Sequence, residues 1–367
     1  MIERLQWGGQ DMGGDAIEAA LRQQAHWCQL MGSPLNATLL QAAADDYERG
    51  GIVRALLRDF AQEPNDSALA LRLAGALHHA VLTGRAGSLA EHYPSVGGSF
   101  DAARGGALWG AAEALLADDP DTIRSFLVHP PQTNEVARSG VLLGGFLTIA
   151  ERTGLPLALL EVGASAGLNL LWEKFCYDLE VGAWGNPDSP VAIHCLWRGQ
   201  PPSLGRRPEV VSKAGCDRYP LPIATPADAL RLEAYVWPDQ TARLERLRGA
   251  IELARGETPA VQQADAATWL AATLDAQRVG QVTVVYHSIV MQYLDTVTRE
   301  HFEDTLEAAG ERATPEAPLA RLAMEPGLEQ GRPIHALELT LWPGGRSRRL
   351  ARVHPHGAEA NWLPCSG

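Results

Sequence analysis

The sequence predicts an α/β domain, residues 140–367, preceded by an all-α helical domain, residues 1–139. Two patterns support this division. Residues 14–150 repeat Ala and Leu at helical spacing, whereas short apolar segments alternate with helical segments from residue 157 onward. A chain of 367 residues also exceeds the size at which one hydrophobic core usually suffices. Two domains are therefore expected.

The helical domain is predicted from segments whose apolar residues recur every three or four positions. Breaks such as Gly32-Ser33-Pro34 and Gly50-Gly51 separate these segments. This half contains no convincing alternation of period two, the pattern of a half-buried strand. The predicted helices span residues 15–31, 36–47, 67–82 and 101–116.

The α/β domain is expected to contain a mostly parallel sheet, because strands that alternate with helices form βαβ units. The chain end departs from this alternation. Residues 335–342 alternate, Pro343-Gly344-Gly345 turns and residues 349–353 return, so the sheet is predicted to end in an antiparallel hairpin. The other predicted strands are 157–162, 209–216, 260–264, 282–287 and 319–324, with an extra strand at 191–197 and helices at 168–175, 239–255, 266–274 and 298–312.

Composition narrows the classes of protein. A formal net charge of −13 disfavours nucleic-acid binding, which depends on clustered Lys and Arg, so a small-molecule or protein substrate is expected. The five cysteines are odd in number and scattered, which disfavours a disulfide framework or a structural zinc site. The N-terminal residues lack the apolar segment of a signal peptide, and no apolar run is long enough to cross a bilayer. A cytoplasmic protein with no membrane partner and no metal is therefore expected.

The strongest functional signal follows the first predicted strand. After Glu161-Val162 comes the small-residue segment GASAG, residues 163–167, and a helix is predicted to begin near Leu168. Gly163 and Gly167 lack a Cβ atom, which lets a ligand approach the backbone closely. The start of a helix also offers unpaired N–H groups. Because open α/β sheets bind ligands at such carboxyl edges, we expect a ligand site here.

Two other chemistries fit the same segment. Dinucleotide binding would require G-x-G-x-x-G, but Ser165 and Leu168 occupy two of the glycine positions. A serine hydrolase fits G-x-S-x-G, with Ser165 as nucleophile, Asp265 as the acid and His287 or His354 as the base. Against a hydrolase, the nucleophile normally follows several strands, and no His-Gly-Gly-Gly-like segment precedes this one.

The stretch Glu161-Val-Gly-Ala-Ser-Ala-Gly167 resembles motif I of the class I S-adenosylmethionine-dependent methyltransferases. The resemblance covers about residues 140–367 and implies S-adenosylmethionine as cofactor, with Glu161 organising the loop. It further implies that Asp217 accepts the ribose hydroxyls and that Asp265 accepts the adenine amino group. This chain departs from the family at Ser165, which replaces a glycine, in the long segment 168–208, and in lacking an Asn/Asp-Pro-Pro-Tyr motif.

The resemblance also implies that the end of the fourth predicted strand, residues 282–287, faces the transferring methyl group. A histidine there can accept a proton from a nucleophile, since its pKa is easily set near neutrality. Arg138 is a candidate partner for the carboxylate of the cofactor through its planar guanidinium group, with a structural salt bridge as the alternative. The predicted catalytic residues are Tyr286 and His287, and the predicted cofactor-binding residues are Glu161, Gly163, Ala164, Ser165, Gly167, Asn169, Asp217, Asp265, Arg138 and Asn134.

The whole chain also resembles an uncharacterised bacterial family with a helical N-terminal half. The segments that carry this resemblance include YPSVGG at 93–98, TNEVARS at 133–139 and VWPDQ at 236–240. It implies no established activity. The expected function is methyl transfer from S-adenosylmethionine to an unidentified small molecule or protein. A serine hydrolase and a non-catalytic protein that binds a nucleoside-like ligand remain open.

Overall fold

A computed structural model describes residues 16–60, 68–275 and 278–364 of the chain. The chain divides into two compact units. The first contains the described residues up to Pro131 together with Glu233–Leu244, and the second contains Gln132–Leu232 and the described residues from Glu245 onward. The division predicted at residues 139 and 140 had assigned Glu233–Leu244 to the α/β domain.

The first unit consists of helices around an apolar core. In its first helix Ile17, Leu21, Ala25 and Cys28 are buried, and their spacing of three or four residues places them on one face. Residues 15 and 67, at which two predicted helices begin, lie outside the described residues. The helices are α1 (Ala16–Leu30), α2 (Pro34–Glu48), α3 (Ile52–Leu57), α4 (Leu69–Leu82), α5 (Gly105–Asp118) and α6 (Pro120–Leu127).

Hydrogen bonds explain why Glu233–Leu244 belongs to this unit. One carboxylate oxygen of Asp239 accepts a hydrogen bond from the hydroxyl of Ser33 at 2.6 Å, and the other accepts from the backbone N–H of Leu35 at 3.0 Å. Asp239 therefore satisfies an N–H group in the first turn of α2, from a position about two hundred residues later in the chain.

The second unit contains the main sheet, a small sheet and the remaining helices. Its helices include α7 (Ser139–Thr153), α10 (Ala266–Leu274) and α11 (Thr296–Glu311), while α8 (Pro226–Ala234) and α9 (Thr241–Gly256) each extend across the boundary between the units. The strands are β1 (Leu157–Val162), β2 (Cys176–Asp178), β3 (Ala183–Gly185), β4 (Ala192–His194), β5 (Leu196–Gly199), β6 (Val210–Asp217), β7 (Val261–Gln263), β8 (Val282–Ser288), β9 (Leu319–Glu329), β10 (Arg332–Trp342), β11 (Arg346–Val353) and β12 (Glu359–Trp362).

Within the described residues, the main sheet has nine strands in the order β5-β12-β11-β10-β9-β8-β1-β6-β7. Strands β7, β6, β1, β8 and β9 are parallel to one another. Strands β10, β11 and β12 each run antiparallel to the strand before them in the chain. The prediction of a mostly parallel sheet that ends in antiparallel strands is thus confirmed.

Helices cover both faces of the main sheet. On one face Gly145 of α7 lies so close to the sheet that an added Cβ atom would come within 2.4 Å of the Leu322 side chain. On the other face Phe302 of α11 and Leu270 of α10 pack in one core with Val285 of β8. Successive side chains of a strand alternate between the two faces, so neighbouring residues of β8 face different helices.

Two predicted elements differ in the structure. The predicted helix 168–175 is a 3-10 helix, Leu168–Lys174, which begins after Gly167 in the left-handed conformation. The predicted extra strand 191–197 is divided at Cys195 into β4 and β5, which pair in different sheets. Within the part of the chain that the structure describes, no helix is long and apolar enough to span a membrane.

Candidate functional site

The candidate site lies where the order of the parallel strands reverses. From β1 the chain adds β6 and β7 on one side of the sheet, and then β8 and β9 on the other side. Ligands of open α/β sheets bind outside the carboxyl ends of the strands at such a switch point. Two connections leave these ends, residues 163–167 after β1, here called the β1 loop, and residues 289–290 after β8, here called the β8 loop. An added Cβ atom on Gly163 would lie 2.4 Å from the Val290 side chain, so the two loops are in contact.

Each of these loops contains a non-glycine residue in the left-handed region. The φ angle is 53° at Ser165 and 56° at Ile289. For a residue with a Cβ atom this conformation costs about 1–2 kcal/mol, and it is especially unusual for a β-branched residue. Such strain persists only where surrounding structure imposes it, and it is concentrated at functional sites.

The backbone N–H groups of the β1 loop are largely paired within the protein. Those of Gly163 and Ala164 donate to the carbonyl of Cys216 at 2.9 and 3.0 Å, and that of Gly167 donates to the carbonyl of Ala164 at 2.7 Å. The sequence suggested unpaired amides in this region. The loop instead uses these amides to fix its own conformation beside β6.

Asp217, the last residue of β6, also holds the β1 loop. One of its carboxylate oxygens accepts a hydrogen bond from the N–H of Ser165 at 2.9 Å, and the other accepts from the N–H of Tyr219 at 2.8 Å. An ionised carboxylate has about four acceptor sites. Asp217 is only partly buried, so it retains capacity to accept hydrogen bonds from a ligand.

Asn134 and Asn169 connect the β1 loop to the segment before α7. The side-chain oxygen of Asn134 accepts a hydrogen bond from the N–H of Leu168 at 3.0 Å, and the side-chain nitrogen of Asn169 donates to the carbonyl of Glu135 at 3.4 Å. The N–H group at the start of the 3-10 helix is therefore paired with Asn134. Both asparagines therefore hold the β1 loop and the start of the 3-10 helix against the residues that precede α7.

Two buried polar atoms at the β1 loop lack a partner within the described residues. They are Oγ of Ser165 and Oδ1 of Asn169, whose residues are 5% and 2% exposed. Leaving a buried polar group unpaired costs about 1–3 kcal/mol. A ligand that supplies the missing hydrogen bonds would recover this energy, so these atoms are candidate ligand contacts.

The glycines of the β1 loop make room for protein side chains. Both Gly163 and Gly167 have left-handed backbone angles, with φ of 71° and 74°. An added Cβ atom on Gly167 would approach Pro259 and Val261 at 2.7 Å, just as one on Gly163 would meet Val290. The sequence attributed these glycines to close approach of a ligand, whereas in the structure they permit close packing.

Glu161 is a buried acid on β1, only 3% exposed, and its neighbour in register, Tyr286, contacts Phe146 of α7 edge-on. The hydroxyl of Tyr286 donates a hydrogen bond to the Oε2 atom of Glu161 at 3.1 Å. The pKa of Glu161 is raised to about 8, chiefly by burial and also by the nearby charge of Asp217, although the hydrogen bond from Tyr286 and the charge of Arg138 oppose the rise. Burial and the neighbouring Glu161 also hold the pKa of Tyr286 well above its usual value. Glu161 is therefore largely protonated and neutral near pH 7.

Asp265 follows β7 and caps α10. Its Oδ1 atom accepts hydrogen bonds from the N–H groups of Ala267 and Thr268 at 3.1 and 3.2 Å. Its Oδ2 atom lies 3.3 Å from a guanidinium nitrogen of Arg218, and both side chains are partly exposed. The predicted acceptor of an adenine amino group is thus at the carboxyl edge, but a ligand would compete there with Arg218.

Arg138 lies just before α7 and ties two segments together. Its Nε atom donates to the carbonyl of Pro355 at 3.0 Å, and its Nη1 atom donates to the carbonyl of Ser288 at 2.9 Å. The guanidinium group therefore holds the carboxyl end of β8. The structure brings Arg138 to the predicted site, where its partners include these two backbone carbonyls and the hydroxyl of Ser288.

His287 points away from Tyr286, toward α11. Its Nδ1 atom pairs with the carboxylate of Glu325 at 2.6 Å, and its Nε2 atom accepts a hydrogen bond from Arg321 at 3.2 Å. The side chain is fully buried, and its ring contacts Phe302 edge-on. With both ring nitrogens engaged on this face, the structure does not bring His287 to the β1 loop.

Sequence reasoning missed Glu325 and His335. The carboxylate of Glu325 accepts hydrogen bonds from the N–H of Val290 at 3.0 and 3.2 Å, so it fixes the β8 loop from the neighbouring strand. The strand predicted to end at residue 324 continues to Glu329. No local sequence pattern predicts that Glu325 would contact β8. His335 lies on β10, opposite Pro326, near the same edge.

The fold and the site define a two-unit α/β protein with a candidate ligand site at the switch point of its sheet. The profile of the family described as "Uncharacterized protein conserved in bacteria (DUF2332)" matches residues 18–362, and the chain belongs to that family. Comparisons with curated proteins and with solved structures gave no match.

Proposed function

We propose that the switch-point site binds the adenosyl group of S-adenosylmethionine and that the protein transfers its methyl group to a small-molecule acceptor. The observation that carries the proposal is the pair of acids around the β1 loop. Glu161 lies buried at the end of β1, and Asp217 holds the loop from the end of the neighbouring strand β6. The order of the parallel strands reverses beside this loop. This topology supports a nucleoside-type ligand there.

The residues present fit such a ligand at three positions. The carboxylate of Asp217 retains acceptor capacity for ribose hydroxyls. The buried hydroxyl of Ser165 lacks a partner within the described residues and can pair with a polar atom of the ligand. Asp265 could accept an adenine amino group if Arg218 moves from its carboxylate, and both side chains are exposed enough to rearrange.

When bound, S-adenosylmethionine supplies an electrophilic methyl group on a sulfonium centre. The chain's own residues would position that group and exclude water from it. Glu161, neutral and bonded to Tyr286, adds no negative charge to the interior of the site. Tyr286 and His287 are both 0% exposed, so they have positioning roles and neither accepts a proton from the substrate.

The direct test is transfer of label from methyl-labelled S-adenosylmethionine to components of a cell extract. We expect labelled product with the unmodified protein and strongly reduced product with Asp217→Ala, because this variant loses both the loop contact and the ribose acceptor. Glu209→Ala, at an exposed position before β6, is the matched control. Binding of the nucleoside without any labelled product would favour the non-catalytic alternative.

One observation favours a second candidate, a serine hydrolase. Ser165 occupies the strained left-handed position of a G-x-S-x-G turn, as a nucleophile at such a turn would. A serine nucleophile also needs a base within hydrogen-bond reach, and within the described residues no imidazole bonds to its hydroxyl. Labelling of Ser165 by a fluorophosphonate probe would support the hydrolase, and an unlabelled Ser165 would argue against it.

A further inference from the structure

A chain of hydrogen bonds runs from α11 to the β8 loop. The carboxylate of Glu303 on α11 accepts two hydrogen bonds from the guanidinium group of Arg321, at 2.5 and 2.8 Å. Nε of Arg321 donates to Nε2 of His287 at 3.2 Å, and Nδ1 of His287 pairs with Glu325 at 2.6 Å. Glu325 in turn accepts from the N–H of Val290 at 3.0 and 3.2 Å. Four side chains therefore link α11 to the β8 loop, and they are here called the His287 array: Glu303, Arg321, His287 and Glu325.

The register between β8 and β9 brings the inner members of the array together. His287 pairs with Ala323, so Arg321 and Glu325 lie two residues before and two residues after its direct neighbour. Because side chains alternate along a strand, these residues share one face of the sheet. On that face the ring of Phe302 contacts the His287 ring edge-on and lies 5.5 Å from the guanidinium carbon of Arg321. The packing of α11 thus holds both side chains in place.

These contacts select one tautomer of His287. The Nε atom of an arginine side chain is only a donor, so Nε2 of His287 is the acceptor and carries no proton. The proton of the neutral ring then lies on Nδ1, which donates to the carboxylate of Glu325. A ring with its proton on Nε2 would place two N–H groups against each other and leave Nδ1 without a proton for Glu325. Arg321 therefore determines which atom of His287 donates.

Pairing within the array compensates the burial of its charges. His287 is fully buried, and the side chains of Glu325 and Arg321 are 15% and 19% exposed, whereas that of Glu303 is 41% exposed. Removing one partner of a buried charge pair is strongly destabilising, because it leaves the other charge unpaired. Glu303 is therefore the member of the array that can be altered with least effect on the fold.

The array ends at a strained loop beside the candidate ligand site. Ile289 has a φ angle of 56°, and its N–H donates to the carbonyl of Met324 at 2.8 Å. The next N–H along the chain, that of Val290, donates to Glu325. A β-branched residue stays in the left-handed region only where neighbouring contacts impose it. Because the side chain of Val290 packs at Gly163, the same contacts support the first residue of the β1 loop.

We propose that Arg321 and Glu303 are positioning residues for the ligand of the switch-point site and that they act through His287. Arg321 holds His287 as the tautomer with its proton on Nδ1. This tautomer keeps the carboxylate of Glu325 on the N–H of Val290. The β8 loop then meets the ligand in one conformation, so less ordering is required on binding. The effect on ligand affinity rests on the proposed adenosyl site, whereas the tautomer and the order of the loop do not.

The test begins with ring nitrogen NMR of the full-length protein near neutral pH, with the His287 resonances assigned by His287→Gln. We expect a proton on Nδ1 and none on Nε2. Arg321→Met removes the donor to Nε2, so a proton should appear on Nε2 in part of the molecules. Amide hydrogen exchange at residues 289–290 should become faster. Affinity for S-adenosylhomocysteine, measured by calorimetry, should fall about tenfold.

Glu303→Gln and Glu307→Gln form a matched pair on α11. Glu303→Gln loses the charge and keeps one acceptor oxygen for Arg321, so its effects should have the same direction as those of Arg321→Met and be smaller. Glu307 is exposed one turn later, and its variant should change neither the ring signals nor the exchange. If Arg321→Met does not fold, the comparison between Glu303→Gln and Glu307→Gln replaces it.

Two results would overturn the proposal. The first is a proton on Nε2 of His287 in the unmodified protein. The second is a folded Arg321→Met, or a Glu303→Gln in its place, with the original ring signals, exchange rates and affinity. The proposed methyl transfer fails separately if the unmodified protein binds no adenosyl ligand, and the ring signals and exchange rates then decide whether the array positions the loop.

Discussion

The hydroxyl of Tyr286 donates a hydrogen bond to a carboxylate oxygen of Glu161 at 3.1 Å, and both side chains are buried. The two residues are direct neighbours in register between β1 and β8, the strands that form the switch point. The pair therefore places an acid that is neutral near pH 7 on β1, two residues before the β1 loop. Because Glu161 is buried, the free energy of unfolding depends on its protonation state.

We expect Glu161→Gln to flatten the pH dependence of stability. The pKa of Glu161 rises from 4.5 in the unfolded chain to about 8 in the folded protein. Between these values the folded protein holds a proton that the unfolded chain has released, so the free energy of unfolding falls as the pH rises. This group alone contributes a slope of up to about 1.4 kcal/mol per pH unit.

Urea unfolding of the two proteins between pH 5 and pH 8 measures this slope. The glutamine keeps the size of the side chain and cannot ionise, so the variant should lose the Glu161 part of the slope. Glu209→Gln, at an exposed position, should retain the original slope. If Glu161→Gln and the unmodified protein show the same slope, Glu161 is not protonated in the folded state.

Ser165→Ala should weaken ligand binding without weakening the fold. The alanine keeps the left-handed backbone and removes a buried hydroxyl that lacks a partner within the described residues. Removing an unpaired buried polar group is close to neutral or stabilising, by up to about 1 kcal/mol. Affinity for S-adenosylhomocysteine should fall about tenfold if the hydroxyl bonds to the ligand, a loss of about 1.4 kcal/mol.

Thermal unfolding and calorimetry on the same samples separate the two effects of Ser165→Ala. A marked loss of stability would mean that the hydroxyl already has a structural partner. Unchanged affinity in a stable variant would remove Ser165 from the ligand contacts.

Gly163→Ala should destabilise the protein more than Gly154→Ala does. Both glycines are left-handed, with φ angles of 71° and 67°, so both substitutions incur about 1–2 kcal/mol of backbone strain. Only Gly163 faces a close neighbour, because its Cβ atom would lie 2.4 Å from Val290, whereas nothing lies within 4 Å at Gly154. Overpacking should add about 1–3 kcal/mol at Gly163.

Chemical denaturation of both glycine variants gives this difference directly. Equal destabilisation would show that Val290 moves aside freely and that the β1 and β8 loops are not packed together. A loss that is larger for Gly163→Ala than for Gly154→Ala by about 1–3 kcal/mol would confirm that the two loops form one packed unit.

Glu325→Ala should loosen both switch-point loops. The variant removes the acceptor for the N–H of Val290, whose side chain packs at Gly163. Amide hydrogen exchange should therefore become faster at residues 289–290 and at residues 163–165, because both segments lose support. Glu325→Gln keeps one acceptor oxygen and should restore much of the protection.

Glu338→Ala is the matched control for this exchange experiment. Glu338 lies on the neighbouring strand β10 and pairs with Arg349, away from the β8 loop. It should leave exchange in both loops unchanged. Faster exchange at residues 289–290 alone, with residues 163–165 still protected, would show that Glu325 supports only its own loop.

The strands that surround the candidate site could be predicted from sequence, but the hydrogen bonds within it could not. The apolar run at residues 157–162 predicted β1 with the bounds that the structure gives, and the acid at Asp217 was placed correctly at the end of the next parallel strand. Both follow from local patterns, because buried strands are short apolar runs bounded by turn residues. Carboxyl ends of parallel strands also meet at one edge of the sheet.

The bonding of His287 shows why the rest was not predictable. Its direction depends on which face of β8 it occupies, and its partner Glu325 comes from β9 in a register that no local pattern specifies. The paired amides of the β1 loop depend likewise on the carbonyl of Cys216, more than fifty residues later in the chain. These contacts depend on the register between strands that are far apart in the chain. The local patterns of a single sequence do not predict that register.

The most direct test of the central claim is calorimetric titration of the protein with S-adenosylhomocysteine, with NAD as the comparison ligand. The site predicts saturable binding of the adenosyl ligand, weaker binding by Asp217→Ala, and unchanged binding by Glu209→Ala. A ligand present at a hundred times its dissociation constant should also raise the free energy of unfolding by about 2.7 kcal/mol. Absence of heat and of stabilisation with S-adenosylhomocysteine and S-adenosylmethionine, in a folded protein, would contradict an adenosyl site at the β1 loop.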